Sequence, residues 1–186
     1  MDIVAVLIVA FWVMLPAYIP NNAAVLAGGG RPIDGGRTLG DARLLGDGKT
    51  WRGTLFGWAA GALVAVLLNV ANADISSALD MSLPEFPLAV IVLFPLGAMA
   101  GDIGASFLKR RTGRNRGAPF PGVDQLDFVV GSLAFALVAD LLFVSDSWMR
   151  ETFTLEVLLV ILIITPILHV VTNVAAYYLG LKDEPY

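Results

Sequence analysis

At 186 residues, 57% of them hydrophobic, the chain has the length of one domain but is too apolar for an ordinary soluble one. Its net charge of −4 conceals a sided distribution: eleven of its 12 Lys and Arg lie between Arg31 and Arg52, between Lys109 and Arg116, or at Lys182. The absence of cysteine excludes disulfides, thiolate catalysis and thiolate metal sites, and no nucleic-acid partner is expected.

Five apolar segments reach or approach the roughly 20 residues that cross a bilayer. They run from about Ile3 to Leu26, Leu55 to Ala73, Leu88 to Leu108, Phe128 to Val144 (with a helix opening at Asp124), and Leu155 to Leu179. Because a backbone in hydrocarbon satisfies its hydrogen bonds internally, they predict an all-α membrane protein of one domain with five transmembrane helices. The first segment opens Met1-Asp2-Ile3, without the basic start or the small-residue cleavage pattern of a signal peptide, and is expected to be retained. Pro16 is expected to bend or interrupt it. Asn21 and Asn22, after Pro20, either hydrogen-bond a ligand or end the helix.

The first polar loop, 27–54, spaces Arg31, Arg37, Arg43 and Lys49 six residues apart and repeats Leu39-Gly40-Asp41 as Leu45-Gly46-Asp47. Its glycines and few apolar residues predict an irregular loop without a core. Gly48-Lys49-Thr50 resembles the end of a P-loop, but the P-loop's first glycine would fall at Arg43, so that reading fails. What remains is Thr50 and a helix N-terminus, with Lys49, Arg52 and Gly53, as either a phosphate cradle or a capped helix carrying interfacial bases. The connector 74–87 holds Asp74, Asp80 and Glu85 without a base, and 145–154 holds only Arg150. The positive-inside rule therefore puts loops 27–54 and 109–123 in the cytoplasm and the N-terminus outside.

At the end of the third segment Asp102, Ser106 and Lys109 fall at i, i+4 and i+7, on one helix face. A carboxylate at membrane depth costs about 2.5 to 3.5 kcal/mol on insertion scales, so Asp102 is expected to face the bundle, either as a structural partner of Lys109 or within a site. Lys109, Arg110, Arg111, Arg114 and Arg116 follow, then Pro119, and then Asp124 and Asp127 on one face at the start of the fourth helix. Two such carboxylates either complement the helix dipole or share a hard cation, and an oxygen-only donor set points to Mg2+. Five bases beside them suit a polyphosphate or anionic lipid head groups. Asp140 is expected near the outer end of its helix, and His169 with Asn173 at i, i+4 is expected to join helices. Pro95 and Pro166 are expected to bend or break their helices, and such breaks can open a lateral lipid groove. The small residues Gly57/Gly61 and Gly97/Gly101/Ala105 favour close helix contact.

Gly101-Asp102 with Ser106 through Arg111, then Gly117, Pro119, Pro121 and Asp124-Gln125-Leu126-Asp127, resembles the membrane CTP:phosphatidate cytidylyltransferase family. Pro20-Asn21-Asn22, Gly48 through Gly53 and the short chain resemble its archaeal branch. Asn115-Arg116 and Asp124-Gln125 stand where the diacylglycerol branch carries other pairs, which favours an ether lipid. The resemblance implies transfer of CMP from CTP to unsaturated archaetidic acid, 2,3-bis-O-(geranylgeranyl)-sn-glycerol 1-phosphate, giving a CDP-lipid and pyrophosphate at the cytoplasmic side of the cell membrane.

On that basis Asp124 and Asp127, with Asp102 in support, are expected to hold Mg2+ on the triphosphate, and Lys109 and Arg110 to stabilise charge at the reacting phosphates, with Asp127 catalytic as well. Ser106, Lys49, Thr50, Arg52 and Gly53 would hold phosphates. Asn21, Asn22 and Pro119 would line the pocket, and Arg111, Arg114 and Arg116 would steer the lipid head or pyrophosphate. Two other classes compete. A carrier would use Asp102, Asp140 and His169, but it wants two related halves that this chain does not display. A lipid-binding scaffold would bind anionic lipid without nucleotide chemistry. Asp41-Ala42-Arg43 faintly resembles a CDP-alcohol phosphotransferase motif, whose downstream carboxylates are missing.

Overall fold

The computed structural model describes residues 2–114, 118–144 and 147–180. The elements run α1 (Ile3–Ala27), β1 (Thr38–Leu39), β2 (Ala42–Arg43), α2 (Trp51–Leu79), α3 (Leu88–Arg111), α4 (Val123–Phe143), α5 (Trp148–Thr152) and α6 (Leu155–Tyr178). Among the described residues, five helices, α1 to α4 and α6, are long and apolar enough to cross a membrane.

Three boundaries differ from the sequence expectation. Thr50 caps α2, its Oγ1 accepting from Gly53 N–H at 3.1 Å, so the helix starts at Trp51 and not Leu55. It also continues past Ala73 to Leu79, because Asp74, Ser76 and Ser77 at its far end are compatible with a helix that has left the hydrocarbon. Its 29 residues span about 43 Å at 1.5 Å per residue, more than the roughly 30 Å of a bilayer core. Helix α3 runs on through Lys109, Arg110 and Arg111, whose charges complement its C-terminal dipole. The connector expected at 145–154 folds partly into α5. Pro16 and Pro20 lie inside α1, Pro95 inside α3 and Pro166 inside α6, and none of these helices is interrupted there. Packing against neighbouring helices tolerates such prolines at membrane depth.

Small residues set the close approaches, as their spacing suggested. A Cβ on Gly57 would sit 2.6 Å from Pro20 O, and one on Gly61 2.5 Å from Pro16 O, so the α1–α2 seam is backbone against backbone. The α3–α4 seam is tighter still. There Gly97 and Gly101 face Gly131 and the Asp127 carbonyl so closely that no side chain could intervene.

The end of the bundle away from the two basic loops is closed by polar side chains that clamp an extended connector. Asn69 exchanges two 2.8 Å hydrogen bonds with the backbone of Phe86, and Asn72 Nδ2 donates to Leu83 O at 3.1 Å. Trp12 Nε1 donates to Pro84 O at 2.9 Å, and Trp148 Nε1 to Glu85 O at 2.6 Å. Asp140, expected near the outer end of its helix, accepts from Met149 N–H at 3.0 Å and so ties α5 to α4.

Candidate active site

At the opposite end the chain builds a cavity of about 810 Å³. Its construction begins in loop 27–54, which is more ordered than its glycine content predicted. Ile33 N–H donates to Lys49 O at 2.8 Å and Trp51 N–H to Arg31 O at 3.1 Å, with Pro32 bridged to Thr50, so the loop doubles back and delivers Gly48-Lys49-Thr50 to the head of α2. Its far part is a two-stranded antiparallel hairpin, Thr38 opposite Arg43 and Leu39 opposite Ala42.

The buried carboxylate of Asp34 organises this part of the loop. It accepts from Gly36, Leu45 and Gly46 N–H, each at 3.0 Å, and pairs with Arg43 at 2.7 Å; Arg43 in turn reaches Asp47 at 2.8 Å. The Arg43 guanidinium, followed by the amides, holds the Asp34 carboxyl well below the usual carboxylate range against the opposing effect of burial. The near-repeat thus serves two unlike purposes: Gly40 is in the hairpin, whereas Gly46 donates to Asp34.

Two arginines at the end of α3 lock the loops together. Arg111 donates from Nη1 to Leu39 O at 2.7 Å and from Nη2 to Arg43 O at 2.8 Å and Ala42 O at 3.2 Å. Arg110 donates to Arg114 O at 3.0 Å and reaches Leu45 O at 3.5 Å, while Arg114 stacks over Phe120 with its guanidinium 4.1 Å from the ring centroid. Arg110, Arg111 and Arg114 thus meet backbone carbonyls and an aromatic face.

The cavity wall is charged on the side made by the head of α2, the end of α3 and the start of α4. Lys49 Nζ lies 2.5 Å from Asp102 Oδ2, joining α2's approach to α3, and Lys109 Nζ lies 2.6 Å from Asp124 Oδ1, joining α3 to α4. The other oxygen of Asp124 accepts from Phe120 N–H at 2.9 Å and so anchors the loop before α4. Asp127 accepts from Phe128 N–H at 2.6 Å, and the Gly101 contact draws its backbone against α3 beside Asp102.

Of the residues singled out in the sequence, Asn21, Asn22, Lys49, Thr50, Gly53, Asp102, Lys109, Pro119, Asp124 and Asp127 line the cavity. Arg52, Ser106, Arg110, Arg111 and Arg114 do not, and Arg116 lies outside the described residues. Asp102 and Lys109 do share a wall, but each takes its ion-pair partner from another element, so the expected Asp102–Lys109 pairing is not the one formed. Nor do Asp102, Asp124 and Asp127 form a ready three-carboxylate cage: among the described residues no group of three or more potential ligands is close enough to hold an ion. Two of the three are engaged by lysines instead. This donor set suits a cation that brings oxygens of its own, since Mg2+ is commonly held by one or two carboxylates plus substrate phosphates.

The remaining wall holds no Asp, Glu, Lys or Arg. It includes Ala17, Tyr18, Val25 and Leu26 of α1 and Thr165, Leu168, His169, Thr172 and Asn173 of α6, with Met99 of α3 and Phe128 of α4 beside them. Tyr18 Oη and Thr165 Oγ1 share a 2.8 Å hydrogen bond across the two helices. His169 and Asn173 were expected to join helices and are found on the cavity face; the signal that could have placed them is the period of Thr165, His169, Thr172 and Asn173, one polar stripe on an otherwise apolar helix.

A family model described as CarS-like CDP-archaeol synthase matches residues 3–186. The chain is 60% identical over 177 residues to the CDP-archaeol synthase of Halorubrum lacusprofundi, covering 95% of this chain and 96% of that one. It is 62% identical over 186 residues to that of Haloarcula marismortui and 59% identical over 186 residues to that of Halobacterium salinarum, in both cases covering both chains completely. A solved structure described as an intramembrane enzyme for archaeal membrane lipids biosynthesis superposes with a TM-score of 0.70 at 39% identity, over 89% of this chain and 92% of that one.

Proposed function

The chain belongs to the CarS-like CDP-archaeol synthase family, and on that premise we propose that it transfers CMP from CTP to an unsaturated archaetidic acid, with Mg2+, at the cytoplasmic face of the cell membrane. The observation that carries this reading is the convergence of Lys49, Asp102, Lys109, Asp124 and Asp127 on one cavity at one end of a five-helix membrane bundle.

The lipid phosphate monoester has a second pKa of about 6 and is largely a dianion at neutral pH, so it attacks without a general base. One of its oxygens bonds to the α-phosphorus of CTP, the bond from that phosphorus to the bridging oxygen of the β-phosphate breaks, and pyrophosphate leaves with the electron pair. The difficulty is bringing two polyanions together in line, so positioning and charge compensation supply most of the acceleration. Lys49 and Lys109 meet that need. Their carboxylate partners hold them in the cavity before substrate arrives, and Thr50, whose side chain caps α2, brings the positive end of that helix to the same wall. Asp124 and Asp127, with Asp102 near them, would hold Mg2+ carried on the triphosphate, where the ion would neutralise charge on the phosphate oxygens. Arg110 and Arg111 act as positioning residues that fasten loop 27–54 to the end of α3. The concentration of Lys and Arg in the two loops at this end supports a cytoplasmic site and an N-terminus outside.

The test is to incubate the purified protein in detergent with CTP, Mg2+ and either the ether lipid phosphate or a diacyl phosphatidic acid, and to measure CDP-lipid by mass spectrometry beside released pyrophosphate. Equal amounts of the two products, with the ether lipid preferred, are expected. Folded protein that makes neither product from either lipid would refute the reading.

A further inference from the structure

We propose that the seam between α1 and α6 is the route by which the lipid phosphate enters from the bilayer, and that His169 and Asn173 are positioning residues for its head group. This rests on the cytidylyltransferase reading and adds to it where the lipid lies. The two helices are the first and last of five alternating spans, so they run in the same direction. The Tyr18–Thr165 hydrogen bond latches them at one height, and Thr165 is buried. Toward the loop end each helix advances a further seven residues along the cavity, to Val25 and Thr172, about 10 Å at 1.5 Å per residue. That length accommodates a phosphate and a glycerol.

This seam is also where cavity and bilayer meet. Val25 and Leu26 line the cavity yet are 62% and 78% exposed at the apolar surface, and Ile167, Val170 and Val171 turn the other face of α6 outward. A tailed substrate that must touch Lys109 while its chains stay in hydrocarbon meets, along this seam, cavity-lining residues that are themselves exposed on the apolar surface. Against that seam α6 presents His169, whose ring lies 3.2 Å from Asn173 Nδ2, the amide donating to the imidazole nitrogen that carries no proton, and Asn173 is 8% exposed. Both residues line the cavity, and their amide and imidazole are donor and acceptor groups of the kind a phosphoglycerol head can meet. The triphosphate, arriving from water, faces Lys49 and Thr50 instead.

Steady-state kinetics in nanodiscs, with lipid phosphate and CTP varied separately, tests the assignment. His169→Ala and Asn173→Ala are expected to raise the KM for lipid about tenfold, the loss of one hydrogen bond to a charged group, while the KM for CTP holds and His169→Gln restores most of the effect. Leu26→Trp, at an exposed position that does not burden folding, is expected to raise the KM for a long-chain lipid and leave that for a short-chain, water-soluble lipid phosphate alone. A rise in the KM for CTP instead, no change in either, or equal loss with long and short chains in Leu26→Trp would overturn the proposal while CDP-lipid synthesis stands. Absence of CDP-lipid from the unsubstituted protein would remove the reading beneath it as well.

Discussion

Gly101 is the position where one added methyl group should cost most. A Cβ there would land on the Asp127 carbonyl oxygen, well inside the 3.0 Å that real Cβ contacts essentially never cross, with Phe128 Cα at 3.1 Å. Neither neighbour can rotate away, because both atoms belong to the backbone of α4. In Gly101→Ala the two helices must therefore part, at an overpacking cost of about 1–3 kcal/mol. The shift also carries Asp127 away from Asp102 and Lys49, and a displacement of about 1 Å in a reacting constellation costs on the order of 100-fold in rate. Gly104, three residues on in the same helix, is exposed, and a methyl group added there would meet nothing within 4 Å, so Gly104→Ala should be neutral or stabilising by about 0.5–1 kcal/mol through backbone entropy. The assay pairs thermal unfolding in detergent with CDP-lipid formation. A Gly101→Ala protein as stable and active as its Gly104→Ala counterpart would refute the claim that this backbone contact places Asp127.

Removing the Lys49–Asp102 pair should be non-additive: Lys49→Met and Asp102→Asn should each lower kcat/KM for CTP by about 100-fold or more, and the double variant should lose much less than the product, as a double-mutant cycle would read. Asp34→Ala should unfasten loop 27–54, leaving three amides and Arg43 without their shared acceptor, and limited proteolysis should cut there faster while the transmembrane helices stay intact. Because the folded state depresses the Asp34 carboxyl below its ordinary 3.8, the stability it contributes is complete above that value and is lost only as pH falls through the lower folded value. Loop protection should accordingly be flat between about pH 5 and 8 and decline only in stronger acid. Asp140→Ala should lower thermal stability by about 0.5–2 kcal/mol, the cost of a lost helix-end acceptor, with turnover retained, since Asp140 serves the closed end of the bundle.

The helices were legible because hydrocarbon imposes a local rule. A run of about 20 apolar residues must satisfy its own backbone, whatever lies beside it, and each such run in this chain became a helix. Glycine spacing carried over for a similar reason: at 57 and 61, and at 97 and 101, the absent side chain is itself the contact. Thr50 announced the head of α2 through capping chemistry confined to four residues. The carboxylates and lysines were also identifiable one by one, because charge near membrane depth is costly enough to need a use.

What each charge touches was decided by the tertiary structure alone. Asp102 and Lys109 share a helix and a face, yet Lys49 takes the first and Asp124 the second, partners that lie across helix seams set by glycine contacts. Arg110 and Arg111 read as bases facing the reacting phosphates and the lipid head or pyrophosphate; their loop contacts were not legible, because the Leu39, Ala42 and Arg43 carbonyls come within reach of Arg111, and that of Leu45 near Arg110, only once loop 27–54 lies against α3. His169 and Asn173 became cavity residues only when α6 was laid beside α1 and latched through Tyr18 and Thr165. The membrane acts on each segment separately and so writes its demands into local sequence, whereas ion pairs and backbone hydrogen bonds among loops form only between groups that the packed helices have already brought together.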